Sequence, residues 1–149
     1  MTPDRRERPT FSRLLAAKSP LVMGILNVTP DSFSDGGRFI QPERAVKQAQ
    51  RMVEEGADIL DIGAESTRPY GDAEPVSVDE ELSRLKPVLP QVVAIGIPVS
   101  IDTMKAKVAG YALEAGAEIV NDVWGLQRDP EMARVVAEYR SPVVIMHNR

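Results

Sequence analysis

Five short apolar runs, at residues 21–27, 58–63, 98–102, 118–123 and 142–147, alternate with longer amphipathic stretches, and this alternation constrains the fold more than any other feature. Each run is a near-continuous series of Val, Ile, Leu and Met. That is the composition of a parallel strand covered on both faces, not of a strand with one wet face. The stretches between them read as helices. In residues 41–56, Pro42 suits the first helical position and Gly56 the position just past the end, and Ala45, Val46, Ala49, Met52 and Val53 form one stripe. Residues 78–94 contain Pro87 and Pro90, which must break or kink the helix. Residues 104–116 carry Val108, Ala112 and Ala115 on one face, and residues 130–139 carry Met132, Val135, Val136 and Tyr139.

Strand and helix in strict alternation imply one α/β domain around a parallel sheet, open or closed into a barrel. Two features favour the (β/α)8 TIM barrel. The runs end in polar residues or glycine, at Asn27, Gly63, Asp102, Asn121 with Asp122, and His147. In a barrel those ends form one ring, where the active site sits. No run is followed by the tight glycine-rich turn of a dinucleotide-binding unit, since Gly36 and Gly37 lie well beyond Asn27. The first two units carry long insertions directly after the strand, at residues 28–40 and 64–77, which would hang over that face. Five strands cannot close an eight-stranded barrel, so the expectation is the N-terminal part of one, C-terminally truncated. Its fifth strand would be an unpaired apolar edge, and the inward faces of Ile25, Ile59, Ile101 and Val144 would meet solvent.

Composition narrows the function. The 149 residues carry a net charge of −4 with a pI near 5.1, which does not suit a nucleic-acid binder. Without cysteine there are no disulfides, thiolate metal sites or Cys nucleophiles, and His147 alone cannot build a multi-histidine metal site. No apolar run approaches the roughly 20 residues that span a bilayer. Residues 1–19 mix Arg5, Arg6, Arg8 and Arg13 with Asp4 and Glu7 and have no apolar signal core, so they read as a solvated leader to a cytoplasmic protein with no membrane partner.

Five constellations could carry chemistry. The segment from Asn27 to Gly37 packs Asp31, Asp35, three hydroxyls and Phe33 behind a buried strand. It reads either as two turns, at Pro30-Asp31 and Asp35-Gly36-Gly37, or as a closing loop with Phe33 as its lid and the acids handling charge. Asn27 offers an amide oxygen to a hard cation such as Mg²⁺. The segment from Asp61 to Pro69 sets Arg68 and Thr67 beside two carboxylates, for an anionic ligand or for an internal salt bridge of Arg68 with Glu65 or Asp61. Asp102 ends an apolar strand, where a carboxylate is costly unless paired. It can accept two N–H groups from a guanidine-like heterocycle, or it or Thr103 can cap the next helix. Asn121 presents a donor and an acceptor to a heterocycle edge, or ends its strand in a turn. Met146 reads as pocket floor or core, and His147 as structural.

The residues from Ile25 to Gly37 and from Asp58 to Pro69 resemble the two long signatures of the dihydropteroate synthase family, and Pro98 to Thr103 and Ile119 to Val123 are similar to its third and fourth strand motifs. The resemblance runs from about residue 21 to 149. It implies condensation of 6-hydroxymethyl-7,8-dihydropterin diphosphate with p-aminobenzoate to 7,8-dihydropteroate and diphosphate, in folate biosynthesis. It further implies Mg²⁺ as cofactor, a homodimer and a sulfonamide target. Carried over by motif, Asp102 and Asn121 hold the pterin and Met146 lines its pocket. Asn27 binds Mg²⁺ and diphosphate. Asp31, Phe33, Ser34 and Asp35 belong to the closing first loop; Thr67, Arg68 and Pro69 belong to the second, near p-aminobenzoate and diphosphate. Asp35 would stabilise positive charge at the pterin methylene and Arg68 the departing diphosphate. The chain departs from the family at Ala64, where a second glycine is usual, and at Tyr70-Gly71-Asp72; the residues that the family draws from its last three strands are not among these 149. The alternatives are the pterin-binding domain of a corrinoid-dependent methyltransferase, which has no need of the Thr29–Gly37 or Ser66–Pro69 loops, and a non-catalytic pterin-binding fragment.

Overall fold

A computed structural model of the chain describes residues 11–16, 19–34, 40–65 and 76–146. Strands β1 (Met23–Asn27), β2 (Ile59–Gly63), β3 (Val99–Asp102), β4 (Ile119–Asp122) and β5 (Val143–Ile145) form one sheet in sequential order. Every neighbouring pair is parallel, as the β-α alternation predicts. The helices are α1 (Phe11–Ala16), α2 (Pro30–Phe33), α3 (Pro42–Glu54), α4 (Val78–Leu85), α5 (Leu89–Val93), α6 (Ala106–Ala115) and α7 (Met132–Glu138). The stretch containing Pro87 and Pro90 is split into α4 and α5, with Pro90 in the first turn of α5, where its missing N–H costs nothing. Within the expected leader, α1 buries no residue, and its first backbone N–H donates to Glu118 Oε2 at 3.2 Å.

Register sorts the strand residues into rows. Leu26, Ile62, Ile101, Val120 and Val143 are successive partners across the sheet. They pack into the same core as Val46 of α3, Leu89 of α5 and Val108 of α6. Gly24 shares that face and lets α3 approach closely, since a Cβ there would sit 3.0 Å from Met52 Sδ. Gly116 ends α6 at φ 116°, a conformation that a side chain resists, and a Cβ would lie 2.7 Å from a Val93 methyl.

The opposite face carries two other rows. Ile25, Asp61, Ser100 and Ile119 are partners in one; Asn27, Gly63, Asp102, Asn121 and Val144 are partners in the next. Here the expected list of wet inward residues needs correction. Ile25 is 60% exposed and Val144 37%, but Ile59 is buried and Ile101 lies in the helix-covered row, fully buried. Continuous apolar strands hide their own parity, so the face of Ile101 is set by pairing, not by composition.

Candidate active site

The Asn27 row stands at the C-terminal ends of the strands, and it brings three predicted site residues together. Asn27 is exposed at the end of β1, Asp102 half-buried at the end of β3, and Asn121 buried in β4. Gly63 lies between Asn27 and Asp102; a Cβ there would come within 3.3 Å of Asp102 Cβ, so the glycine leaves the carboxylate its space. One layer deeper are Asp61 and Ser100, buried and adjacent in register. Asn121 Nδ2 donates to Asp61 Oδ2 over a long 3.4 Å.

This surface is short of donors. Asp61 Oδ1, Ser100 Oγ and Asn121 Oδ1 are buried without a hydrogen-bond partner. The Asp102 carboxylate has no hydrogen-bond partner among the described residues. Asp102 does not cap α6 either: Thr103 Oγ1 accepts from Lys105 N at 3.1 Å, and Asp129 Oδ2 accepts from Ala106 N at 2.8 Å. Asp61 Oδ1 and Asn121 Oδ1 are acceptors, and the Ser100 hydroxyl both donates and accepts; buried acceptors of this kind suit a ligand edge that carries N–H groups.

The electrostatics agree. Burial, followed by the negative charges of Asp61, Glu81, Asp122 and Glu65, pushes Asp102 up to about 7. Burial also raises Asp61, and the neighbouring Ser100 hydroxyl and then the Asn121 amide offset this only in part. Because the folded-state value of Asp102 lies above the ordinary 3.8, folding takes up a proton, and this group's contribution to stability falls as pH rises from about 4 through 7. A ligand that donates N–H groups to the carboxylate favours its ionised form and draws the value down. Binding near neutral pH should therefore release a proton, and affinity should weaken as pH falls below about 7. Calorimetry in two buffers of different ionisation enthalpy measures this; buffer-independent heats near neutrality would remove Asp102 from the binding surface.

The described part of the first loop has the turn expected at Pro30-Asp31. Pro30 opens a single helical turn, α2, behind the buried Thr29, whose Oγ1 lies 3.2 Å from Ser32 Oγ. Asp31 is exposed and Ser34 half-buried. The Phe33 ring is half-buried and packs against the core. The bond from Gln41 N to Phe33 O, 2.8 Å, ties that turn to the start of α3, and burying the ring there removes more apolar surface from water than a lid position would. Met146, half exposed, is one residue past β5 and has the parity of Val144, on the site face. Asp35, Thr67, Arg68, Pro69 and His147 lie outside the described residues.

A cluster that the motifs did not single out lies beside this row. Lys105 Nζ is 2.8 Å from Glu65 Oε2 and also pairs with Glu81 Oε1. Glu81 Oε2 accepts from Thr103 Oγ1 at 3.2 Å, and Glu65 Oε1 accepts from Val76 N at 3.2 Å. Burial raises Glu81 despite the ammonium. Burial alone would raise Glu65 too, but Lys105 and the Val76 amide outweigh it and its pKa falls; the two carboxylates raise Lys105. The signal was present in the sequence, because Glu81 falls on the same helical stripe as Val78, Leu82 and Leu85.

Among the described residues no group of three or more His, Asp or Glu is placed to hold a metal ion. Asn27, exposed at the end of β1, presents an amide oxygen, a donor of the hard type that divalent cations accept. Among the described residues no helix is long and apolar enough to cross a membrane. A small cleft lined by Leu113, Glu118, Tyr139 and Ser141 lies at the other end of the sheet, before β4 and β5, away from these groups.

A family profile described as pterin binding enzyme matches residues 23–149. The chain belongs to the pterin binding enzyme family. Within it, the chain is 54% identical over 139 residues to a dihydropteroate synthase of Bacillus subtilis (strain 168), which covers 93% of this chain and 48% of that protein. A solved Clostridium difficile dihydropteroate synthase, crystallised in the presence of pteroic acid, superposes with a TM-score of 0.82 at 53% identity, over 89% of this chain and 50% of that one. A Xanthomonas albilineans dihydropteroate synthase with 4-aminobenzoic acid gives 0.80 at 51% identity, over 89% and 48%. The chain thus spans about half the length of the relatives that it matches. Its five parallel strands are an arc of the barrel that these proteins form.

Proposed function

We propose that the chain supplies the pterin and diphosphate side of a dihydropteroate synthase, which joins 6-hydroxymethyl-7,8-dihydropterin diphosphate to p-aminobenzoate. The row of Asp102 and Asn121 above the unpartnered oxygens of Asp61 and Ser100 carries this reading. A pterin ring presents amino and ring N–H groups along one edge, the complement of those acceptors. The relatives crystallised with pteroic acid and with 4-aminobenzoic acid support the substrate pair.

In this mechanism Asp102 and Asn121 orient the heterocycle and Met146 forms part of its pocket wall. The amine nitrogen of p-aminobenzoate forms a bond to the pterin methylene carbon as the bond from that carbon to the diphosphate oxygen breaks, and the amine proton leaves. Positive charge develops at the methylene, and Asp35, with Asp31 and Ser34 on the same loop, stabilises it. Phe33 anchors that loop to the core. Asn27 would hold Mg²⁺, which when bound neutralises charge on the leaving diphosphate. Arg68 supplies the matching positive charge, and Thr67 and Pro69 shape the approach of p-aminobenzoate. The same reading makes the protein a cytoplasmic homodimer.

The reading is tested by assaying dihydropteroate formation from the two substrates with Mg²⁺ in the complete protein. Absence of product together with absence of pterin binding would overturn it. Asp35→Asn should lower kcat by about 100-fold while leaving pterin affinity within about threefold, because its charge acts on the transition state more than on the bound ground state. Unchanged single-turnover rates would remove Asp35 from the chemical step.

A further inference from the structure

Asn121 carries an amide, and an amide is two-faced: a half-turn about its last side-chain bond exchanges donor for acceptor with no change in shape. Something must therefore fix which end a ligand meets. The backbone of Asn121 is held, since the residue pairs with Asp102 in the sheet and its carbonyl accepts from Thr103 N at 3.2 Å, but this leaves the amide free to turn. Among the described residues the side chain makes one hydrogen bond, from Nδ2 to Asp61 Oδ2 at 3.4 Å, across 60 residues of chain. Its Oδ1 is buried and makes none.

An ionised carboxylate has only acceptors to offer, so beside Asp61 the nitrogen end of the amide is held and the oxygen end is left over. Stability does not account for Asp61. It is 3% exposed, and its Oδ1 has no hydrogen-bond partner. A carboxylate so placed is costly, and an apolar residue of similar size would cost less. What Asp61 supplies is a fixed polarity at Asn121. That polarity matters because Asp102 is the neighbour of Asn121 in the row. The Asp102 carboxylate and the Asn121 oxygen together offer acceptors side by side, which match a heterocycle edge where an exocyclic amino group adjoins a ring N–H. Turned over, Asn121 would offer a donor, and the same row would match an edge where a carbonyl replaces the amino group.

We propose that Asp61 is a specificity-determining residue that acts through Asn121: it holds the amide nitrogen, leaves the oxygen to the ligand, and so selects an amino-bearing heterocycle over its oxo counterpart. The proposal rests on the synthase reading for the pterin and on the geometry alone for the hold. Asp61 is thus a positioning residue for Asn121, apart from anything that its own free oxygen accepts.

The test uses the complete protein and two heterocycles of one shape, 6-hydroxymethylpterin and 6-hydroxymethyl-lumazine, in which a carbonyl replaces the 2-amino group. Calorimetry gives the ratio of their affinities. A general loosening of the fold weakens both ligands alike and cancels from that ratio. The wild type should favour the pterin by about 100-fold or more, since a site built to bond an N–H group rejects the analogue without it. Asp61→Asn should cut the ratio by at least about 10-fold, because an amide at position 61 accommodates either end of Asn121 and no acceptor is then forced on the ligand. Adding Asn121→Asp to Asp61→Asn should bring the ratio back to within about threefold of wild type, the two positions being directly coupled. In that pair the amide at 61 donates to a carboxylate at 121, which again has only acceptors to offer. An unchanged ratio in Asp61→Asn, or no rescue in the double variant, would overturn the proposal. A second readout needs neither ligand nor variant, and it decides the question if the variants fail to fold. By NMR, one Asn121 side-chain amide proton of the wild type should resonate downfield of the range for solvated Asn amides, as a proton donated to a carboxylate does. Both protons inside that range would show that Asp61 does not hold the amide. A wild type that binds neither heterocycle counts against the synthase reading, while the amide proton still reports on the hold. One that binds both equally well counts against this proposal alone.

Discussion

Asp102→Ala is expected to abolish pterin binding without destabilising the fold. The carboxylate ends β3 beside a glycine that leaves it room, and it has no hydrogen-bond partner among the described residues. Its removal costs no side-chain hydrogen bond among the described residues. It does strand the N–H donors of the heterocycle, at about 1–3 kcal/mol for each of two groups. Together that is about 2–6 kcal/mol, or roughly 30-fold to 10⁴-fold in affinity. Stability should move the other way. Burial and four neighbouring acids push Asp102 up to about 7, so at pH above that value the ionised group weighs against the folded state. The alanine variant should therefore unfold at the same temperature or higher at pH about 8. Calorimetry and thermal unfolding of the variant report both effects. Near wild-type affinity would contradict the ligand role, and lost affinity accompanied by a lowered unfolding temperature would point to a structural one.

The 149-residue polypeptide, purified by itself, is expected to associate and to show no turnover. Both sheet edges are apolar and wet. At β1, Val22 is 57% exposed and Ile25 60%; at β5, Ile145 is 61% exposed and Met146 50%. An uncharged edge strand with free backbone groups is a template for pairing with another chain. The helix-covered core is nevertheless complete, from Leu26 through Ile62 and Ile101 to Val120, all buried. That argues for association of largely folded chains, not for a molten state. Chemistry fails for a separate reason, because a barrel site is assembled from loops around the whole ring and five strands supply only part of it. Light scattering with a product assay distinguishes the outcomes. A cooperatively unfolding monomer with the turnover of a complete relative would show that these edges and the missing wall do not matter.

Much of this was legible in the residues. Near-continuous Val, Ile and Leu runs at βα spacing led to five parallel strands in sequential order, and polar residues at the run ends led to Asn27, Asp102 and Asn121. Pro87 and Pro90 marked the break between α4 and α5. These readings succeed because they depend on local periodicity and on backbone chemistry carried by each residue itself. Glu81 was legible too, as a charge on an apolar stripe, but nothing nearby in sequence names its partner, which arrives from Lys105, 24 residues on.

Other features depended on which segments meet. A lone Phe between two serines fits a turn or a lid in sequence; only the packing of α2 against α3 shows how far the Phe33 ring is buried. Ser100 and Ile101 are equally plausible inward residues of a strand that is buried on both faces, and the pairing of Asp61 with Ser100 settles which one faces the site. By itself the sequence determined the five strands, the helices between them from α3 onward, their order and the polar layer at the strand ends, since these follow from propensity and period. The tertiary structure decided the shared rows, the unpartnered oxygens below Asp102 and the tie between Glu65 and Val76. Each of those is a relation between residues tens of positions apart, fixed by strand register and helix packing, which no local pattern encodes.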